Sequence, residues 1–280
     1  MISVSINHAS ILISTLHYRS QTPPNVIVFG ATGAGKSSVV NMLSGGCEAR
    51  VSSGAKGETF RHDRYEKDIC GYRIDIFDTV GLGEGKKGRV SAAKAIEALY
   101  RLMRGLDDGV SLLVYVVKGP RLSESIRKNY ELFYEIFCQK KVPIVLVVTG
   151  LENEEDMDSW WGKNEAAYTD ENMMFVDVAC ITAIKGKKNV FEQEYEESRG
   201  KVEELILNNC FETTWRPSSG GKTSWLGTLL VNNMNKLAEL LHFQPIVIAK
   251  TVYHALMSYG DLDEKQARVV ANRIHNETAK

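Results

Sequence analysis

A lysine and two serines close a glycine-spaced turn at residues 30–38, G-A-T-G-A-G-K-S-S. The spacing Gly30-x-x-x-x-Gly35-Lys36-Ser37 is the pattern of a loop that cradles nucleotide phosphates. Such a loop must curl tightly and turn its backbone N–H groups inward, and a Cβ at Gly30 or Gly35 would obstruct the turn or the phosphate. Gly30, Ala31, Gly33, Ala34, Gly35, Lys36, Ser37 and Ser38 are therefore the expected phosphate-binding residues. Lys36 brings positive charge to the β- and γ-phosphates, and Ser37 brings a hydroxyl for Mg²⁺. A helix expected over Lys36–Leu43, closed by Gly45-Gly46, points the positive end of its dipole at the same anion.

Two further stretches suit the same chemistry. Asp78-Thr79-Val80-Gly81 reads D-x-x-G at the end of an alternating apolar run. Asp78 can hold Mg²⁺ through water, and the Gly81 N–H can sense a γ-phosphate. Thr59 lies between the first helix and the next strand, where its hydroxyl can complete the Mg²⁺ shell while γ-phosphate is present. Ser37, Thr59 and Asp78 are the expected metal residues, and Lys36, Thr59 and Gly81 are expected to act on the reacting phosphate.

These groups need a scaffold that brings strand ends together. A buried strand, Val26–Phe29, runs into the phosphate loop. Tyr65–Cys70 and Tyr72–Phe77 read as paired strands joined at Gly71. Val110–Val117 and Val142–Val148 are short apolar runs of the kind buried in parallel sheets, and Met174–Val178 is a last strand. Helical periods fall at Ser91–Leu106, Ser123–Cys138, Glu154–Thr169 and Phe191–Asn209. Of Trp160 and Trp161, one ring is expected in the core and one half exposed. Alternating strands and helices give an α/β fold, a mostly parallel sheet with helices on both faces and ligand at the carboxyl ends of the strands. The Gly-rich segment 81–88 is the expected moving part.

The chain divides into an N-terminal arm (1–24), a main domain (25–209), a linker (210–224) and a helical extension (225–280). Gly221-Lys222-Thr223 imitates the end of a second phosphate loop, but Arg216 stands where its first glycine belongs, and no strand precedes it. The extension reads as three helices, Trp225–Phe243, Ile246–Tyr259 and Asp261–Ile274. The first lines up Leu226, Leu230, Leu237 and Leu241. With one lysine and no basic face, it is expected to dock on the main domain rather than lie on a membrane surface.

Composition removes several classes. The 280 residues carry a net charge of −1, which gives no sign of nucleic-acid binding. Five scattered cysteines without C-x-x-C argue against disulfides and zinc, and fit a cytoplasmic setting. The six histidines form no ligand-spaced pair. No apolar run is long enough for a transmembrane segment.

In order, the phosphate loop, switch threonine, D-T-x-G and two strand-end motifs resemble the G domain of Ras-like, translation-factor-class P-loop GTPases. G-A-T-G-A-G-K-S-S and D-T-V-G-L look most like the immunity-associated and septin-related branch, and are similar to uncharacterised fungal G-domain proteins. The likeness covers roughly residues 25–209. It implies a P-loop NTPase three-layer sandwich, GTP/GDP and Mg²⁺ as ligands, and slow hydrolysis of GTP to GDP and phosphate by a molecular switch. It also implies that Thr149, Glu152, Thr182 and Ala183 meet the guanine base.

The chain departs from that family's pattern at three positions. The base motif N/T-K-x-D reads Thr149-Gly150-Leu151-Glu152, which keeps a carboxylate but loses the lysine that packs on the base. S-A-K reads Thr182-Ala183-Ile184. After D-x-x-G, Leu82 replaces the glutamine that orients the attacking water. The resemblance implies that catalysis is then completed by G-domain pairing, as in a homodimer, or by an activating partner, and Arg50, Arg61 and Arg64 could act in trans. Two rivals remain: an ATP-binding kinase or ATPase, and a nucleotide-bound interaction module that does not hydrolyse.

Overall fold

The computed structural model describes residues 22–43, 62–79, 109–119, 123–211, 214–215, 228–241 and 243–259, with a few isolated positions besides. Thr59, Gly81, Leu82, Arg50, Arg61, segment 81–88 and nearly all of the expected helices 91–106 and 261–274 lie outside the described residues.

Six strands form one sheet: β1 (Asn25–Phe29), β2 (His62–Ile69), β3 (Tyr72–Thr79), β4 (Leu112–Lys118), β5 (Ile144–Thr149) and β6 (Asp177–Cys180). Their order is β2-β3-β1-β4-β5-β6, parallel throughout except for the β2–β3 hairpin. The chain leaves β1 for β3 on one side and β4 on the other, and a parallel sheet opens its ligand crevice at such a reversal. The β1 register, Val28 opposite Asp78 and Val114, brings the ends of β1 and β3 together there beside β4.

Period-two alternation sends successive side chains to opposite faces of the sheet, and both faces are covered. On one face, Val26, Val28, Val114, Val116, Val145 and Val147 pack with α1 (Lys36–Met42) and α4 (Glu192–Asn209). On the other, Ile27, Phe29, Tyr115 and Leu146 pack with α2 (Glu124–Tyr130), its π-helical continuation Glu131–Phe137, and α3 (Ser159–Thr169). This is the three-layer α/β arrangement expected. Trp160 is buried and Trp161 half-buried beside it.

Several expected elements change. The Glu154–Thr169 helix begins only at Ser159. Asp156 takes the Asp158 N–H on its side chain (3.0 Å) and the Ser159 hydroxyl on its carbonyl (2.8 Å), a turn that competes with helix. The Met174–Val178 strand is displaced to Asp177–Cys180, leaving Met174 and Val176 exposed. Phe175 is pulled into an aromatic group with Tyr130, Trp161 and Tyr168, while the Tyr130 hydroxyl brackets the Met174 backbone. Ser123–Cys138 changes from α to π winding at Glu131, which buries Leu132 and Ile136 together with Phe133 and Phe137.

The Trp225–Phe243 helix is interrupted at Asn233, whose side-chain amide donates to the Leu229 carbonyl (2.8 Å). Helical residues 228–232, α5 (Met234–Leu240) and α6 (Pro245–Tyr259) follow. Leu230, Met234, Leu237, Ile248 and Val252 are fully buried in the same cluster as Phe133 and Phe137. Lys236 reaches across to Glu131 and Glu135. Part of the expected linker also packs on the sheet: Cys210 is buried, and Trp215 bridges to Val110.

If these helices are part of the main core, Leu237→Ala destabilises the whole chain. The expected loss is about 2–5 kcal/mol, the usual result of deleting a buried leucine side chain. Urea unfolding should show one transition moved to lower denaturant. A separate early transition for the helices would mean that they fold independently.

Candidate functional site

The phosphate loop leaves β1 across the end of β4. An ideal Cβ on Gly30 would stand 2.1 Å from the Val116 carbonyl oxygen, so only glycine allows this approach. Gly35 adopts φ +95° as N-cap of α1, with Thr149 against it. The Thr149 hydroxyl donates to the Ala34 carbonyl at 2.7 Å. Thr149, expected at the base, thus also fixes the phosphate loop from β5. Thr32 and Gly33 form the exposed crest, and Ser38 is half-buried beyond it.

Lys36 is buried, and its ammonium donates to the carbonyls of Gly30 (3.1 Å) and Ala31 (3.0 Å). Burial lowers its pKa from 10.5 to about 8, and nearby Asp78 opposes that shift. An anionic ligand would favour the charged form again.

Ser37 Oγ donates to Asp78 Oδ2 at 2.8 Å. Asp78 stands at the end of β3 and is buried. A hydroxyl and a carboxylate that meet this closely are the hard oxygen donors that Mg²⁺ takes, one or two from protein and the rest from phosphate and water. The expected pair Ser37 and Asp78 therefore fits the ion. The neighbouring Thr79 carries a role the sequence reading missed. Its hydroxyl donates to the Val28 carbonyl at 3.0 Å and pins the D-x-x-G segment to β1. A buried threonine at a strand end was the only available signal.

The two base motifs come together at the ends of β5 and β6. Glu152 Oε2 lies 3.4 Å from the Thr182 hydroxyl, which also contacts the Ile184 carbonyl at 3.1 Å. The Thr182 N–H is held by the buried Ser198 hydroxyl, and the Leu151 N–H reaches the Ile181 carbonyl at 3.5 Å. Ala183 is half-buried beside Thr182. The sequence reading also missed Lys118, which crosses Gly150 from β4. Arg64 lies within β2, which begins before the expected Tyr65, and pairs with buried Asp75 at 2.8 Å.

A family model described as 50S ribosome-binding GTPase matches residues 25–150, from the start of β1 to the first base motif. Over these residues the chain is similar to P-loop GTPase G domains. The tRNA modification GTPase MnmE of Halorhodospira halophila is 30% identical over 142 residues, which are 50% of this chain and 28% of MnmE. The chain thus spans less than a third of the length of this curated relative. Among solved structures, Aquifex aeolicus Era bound to GDP and AlF4⁻ is similar at TM-score 0.49 and 16% identity, over 76% of this chain and 67% of that one. Arabidopsis thaliana Toc33, in a dimerization-deficient mutant, is similar at TM-score 0.48 and 20% identity, over 71% and 90%. Among the described residues, no group of three or more acidic, histidine or cysteine side chains could hold a metal. No described helix is long and apolar enough to cross a membrane.

The lowered pKa of Lys36 makes the nucleotide-free domain pH-dependent in a defined direction. Below pH 8, folded and unfolded chains both hold the proton, and the full burial penalty applies. Between pH 8 and 10.5 the unfolded chain retains a proton that the folded chain releases, so stability rises with pH. The rise is on the order of 3 kcal/mol and complete above the unfolded value. Urea unfolding of the wild type should gain on Lys36→Met across this window. Parallel pH profiles would mean that the Lys36 ammonium stays solvated.

Proposed function

We propose that this protein binds GTP and GDP with Mg²⁺ and acts in the cytoplasm as a slow, nucleotide-dependent switch. The observation that carries the reading is the convergence at the end of β1. There a buried lysine lies under a loop of turned amides, and Ser37 meets the Asp78 carboxylate from β3 at 2.8 Å. Lys36 and the loop amides neutralise and orient the phosphates. Ser37, Asp78 and Thr59 hold Mg²⁺, which offsets charge on the phosphate oxygens when bound. Gly81 reports the γ-phosphate. Glu152 accepts from the guanine edge, with Thr149, Thr182 and Ala183 framing the base.

A carboxylate that accepts two N–H bonds rejects adenine, which offers no matching donors and leaves the charge unpaired. In competition titrations the wild type is expected to prefer GTP over ATP, and Glu152→Ala should lose more GTP than ATP affinity. Equal wild-type affinity for the two would put the ATP-binding alternative ahead.

Turnover in dilute protein is expected to be very slow, because Leu82 cannot orient water. An unassisted site that has its glutamine reaches only about 10⁻⁴ per second, and a supplied arginine adds roughly 10³–10⁵-fold. Homodimerisation through the G domain or an activating partner protein would supply that help. Single-turnover hydrolysis measured over a dilution series should rise per molecule with concentration or on adding a partner. A fast, concentration-independent rate would show catalysis complete within one chain. No turnover under any condition would favour a non-hydrolysing interaction module.

A further inference from the structure

The base motif has glycine at its second position, and the space beside that glycine is taken by another strand. An ideal Cβ on Gly150 would stand 3.2 Å from both Cγ and Cε of Lys118, and 3.8 Å from its Cδ. Gly150 itself sits at φ +81°, in the region that other residues rarely adopt. The Lys118 stem therefore lies flat over a bare α-carbon.

Its backbone is held in that place. Lys118 is the last residue of β4 and the register partner of Thr149. The next N–H, of Gly119, donates to the Thr149 carbonyl at 2.9 Å, and a Cβ on Gly119 would come within 2.9 Å of the Leu151 side chain. Residues 118–119 are thus seated against 149–151. Thr149 in turn carries the phosphate loop through Ala34, and Glu152 is two residues beyond Gly150. Lys118 is exposed, although the six preceding residues of β4 are buried. An exposed lysine whose methylenes lie over a glycine one residue after Thr149 and two before Glu152 offers an apolar strip suited to the face of a planar ring.

We propose that Lys118 is a nucleotide-contacting residue, and that its aliphatic stem, laid across Gly150, forms one wall of the purine site. The inference rests on the nucleotide reading given above. Glu152 discriminates between bases at the ring edge, whereas Lys118 covers the ring face and serves any purine.

Calorimetric titrations with GDP and with tripolyphosphate, which has no base, test it on wild type, Lys118→Ala and Lys118→Met. Losing roughly two methylenes from the contact corresponds to about tenfold in Kd, so Lys118→Ala should bind GDP about tenfold more weakly. Its tripolyphosphate affinity should be unchanged, which also shows the variant to be folded. Lys118→Met keeps most of the stem without the charge and should stay within about threefold of wild type for GDP.

Unchanged GDP affinity in Lys118→Ala overturns the wall assignment alone. An equal loss for GDP and tripolyphosphate also overturns it, since Lys118 would then be a phosphate contact. A loss in Lys118→Met as large as in Lys118→Ala overturns it in favour of the charge. Failure of the wild type to bind GDP overturns this inference together with the nucleotide reading.

Discussion

The first residue of the phosphate loop rests directly on the neighbouring strand, with the Val116 carbonyl where a Cβ of residue 30 would be. That approach sets the height of the loop over the sheet. The rest of the site is fastened to it from both sides. From β5, the Thr149 hydroxyl holds the Ala34 carbonyl. From β3, Asp78 meets Ser37, and Thr79 grips the Val28 carbonyl. The strand order makes this possible, because β1 has β3 on one flank and β4 with β5 on the other. The contacts that hold the loop are interleaved with the polar groups gathered there: Thr79, which grips Val28, is next in sequence to Asp78, which meets Ser37.

The same close packing sets the electrostatics. Lys36 is buried against two carbonyls, which accept its protons but supply no full charge. Burying the ammonium is costly and lowers its pKa, a shift that nearby Asp78 only partly offsets. A bound phosphate removes that cost, so part of any ligand affinity is relief of a penalty carried by the empty domain. This links ligand binding to stability by mass action.

The sequence made legible whatever depended on local chemistry repeated at fixed spacing. The phosphate loop, Asp78 at a strand end and the buried runs of β1, β4 and β5 are of this kind: their residue types have few other uses. It was less informative where a side chain from elsewhere decided. Met174–Val178 has strand composition, yet Tyr130, distant in sequence, claims Phe175 and Met174 and delays β6 to Asp177. Asn233 breaks a helix whose leucine spacing is unbroken. Lys118 escaped notice because nothing in V-V-K-G-P signals that its stem will cover a glycine on the next strand. Arg64 falls before the expected strand start at Tyr65, yet β2 begins at His62 and its pairing with β3 sets Arg64 against Asp75.

The helices after residue 227 share a core with Phe133 and Phe137, although almost a hundred residues separate them in sequence. This has a consequence for how the chain is made. During vectorial synthesis the sheet can assemble on one face once Phe211 has emerged, since no later residue belongs to that cluster. The opposite face waits for Leu230, Leu237 and Val252. At about 5–20 residues per second, the apolar surface of the π-helical turn stays uncovered for roughly ten seconds on each nascent chain. In that interval the growing polypeptide presents a greasy half-domain to the cell, and a chaperone or a neighbouring nascent chain competes with its own C-terminus to cover it.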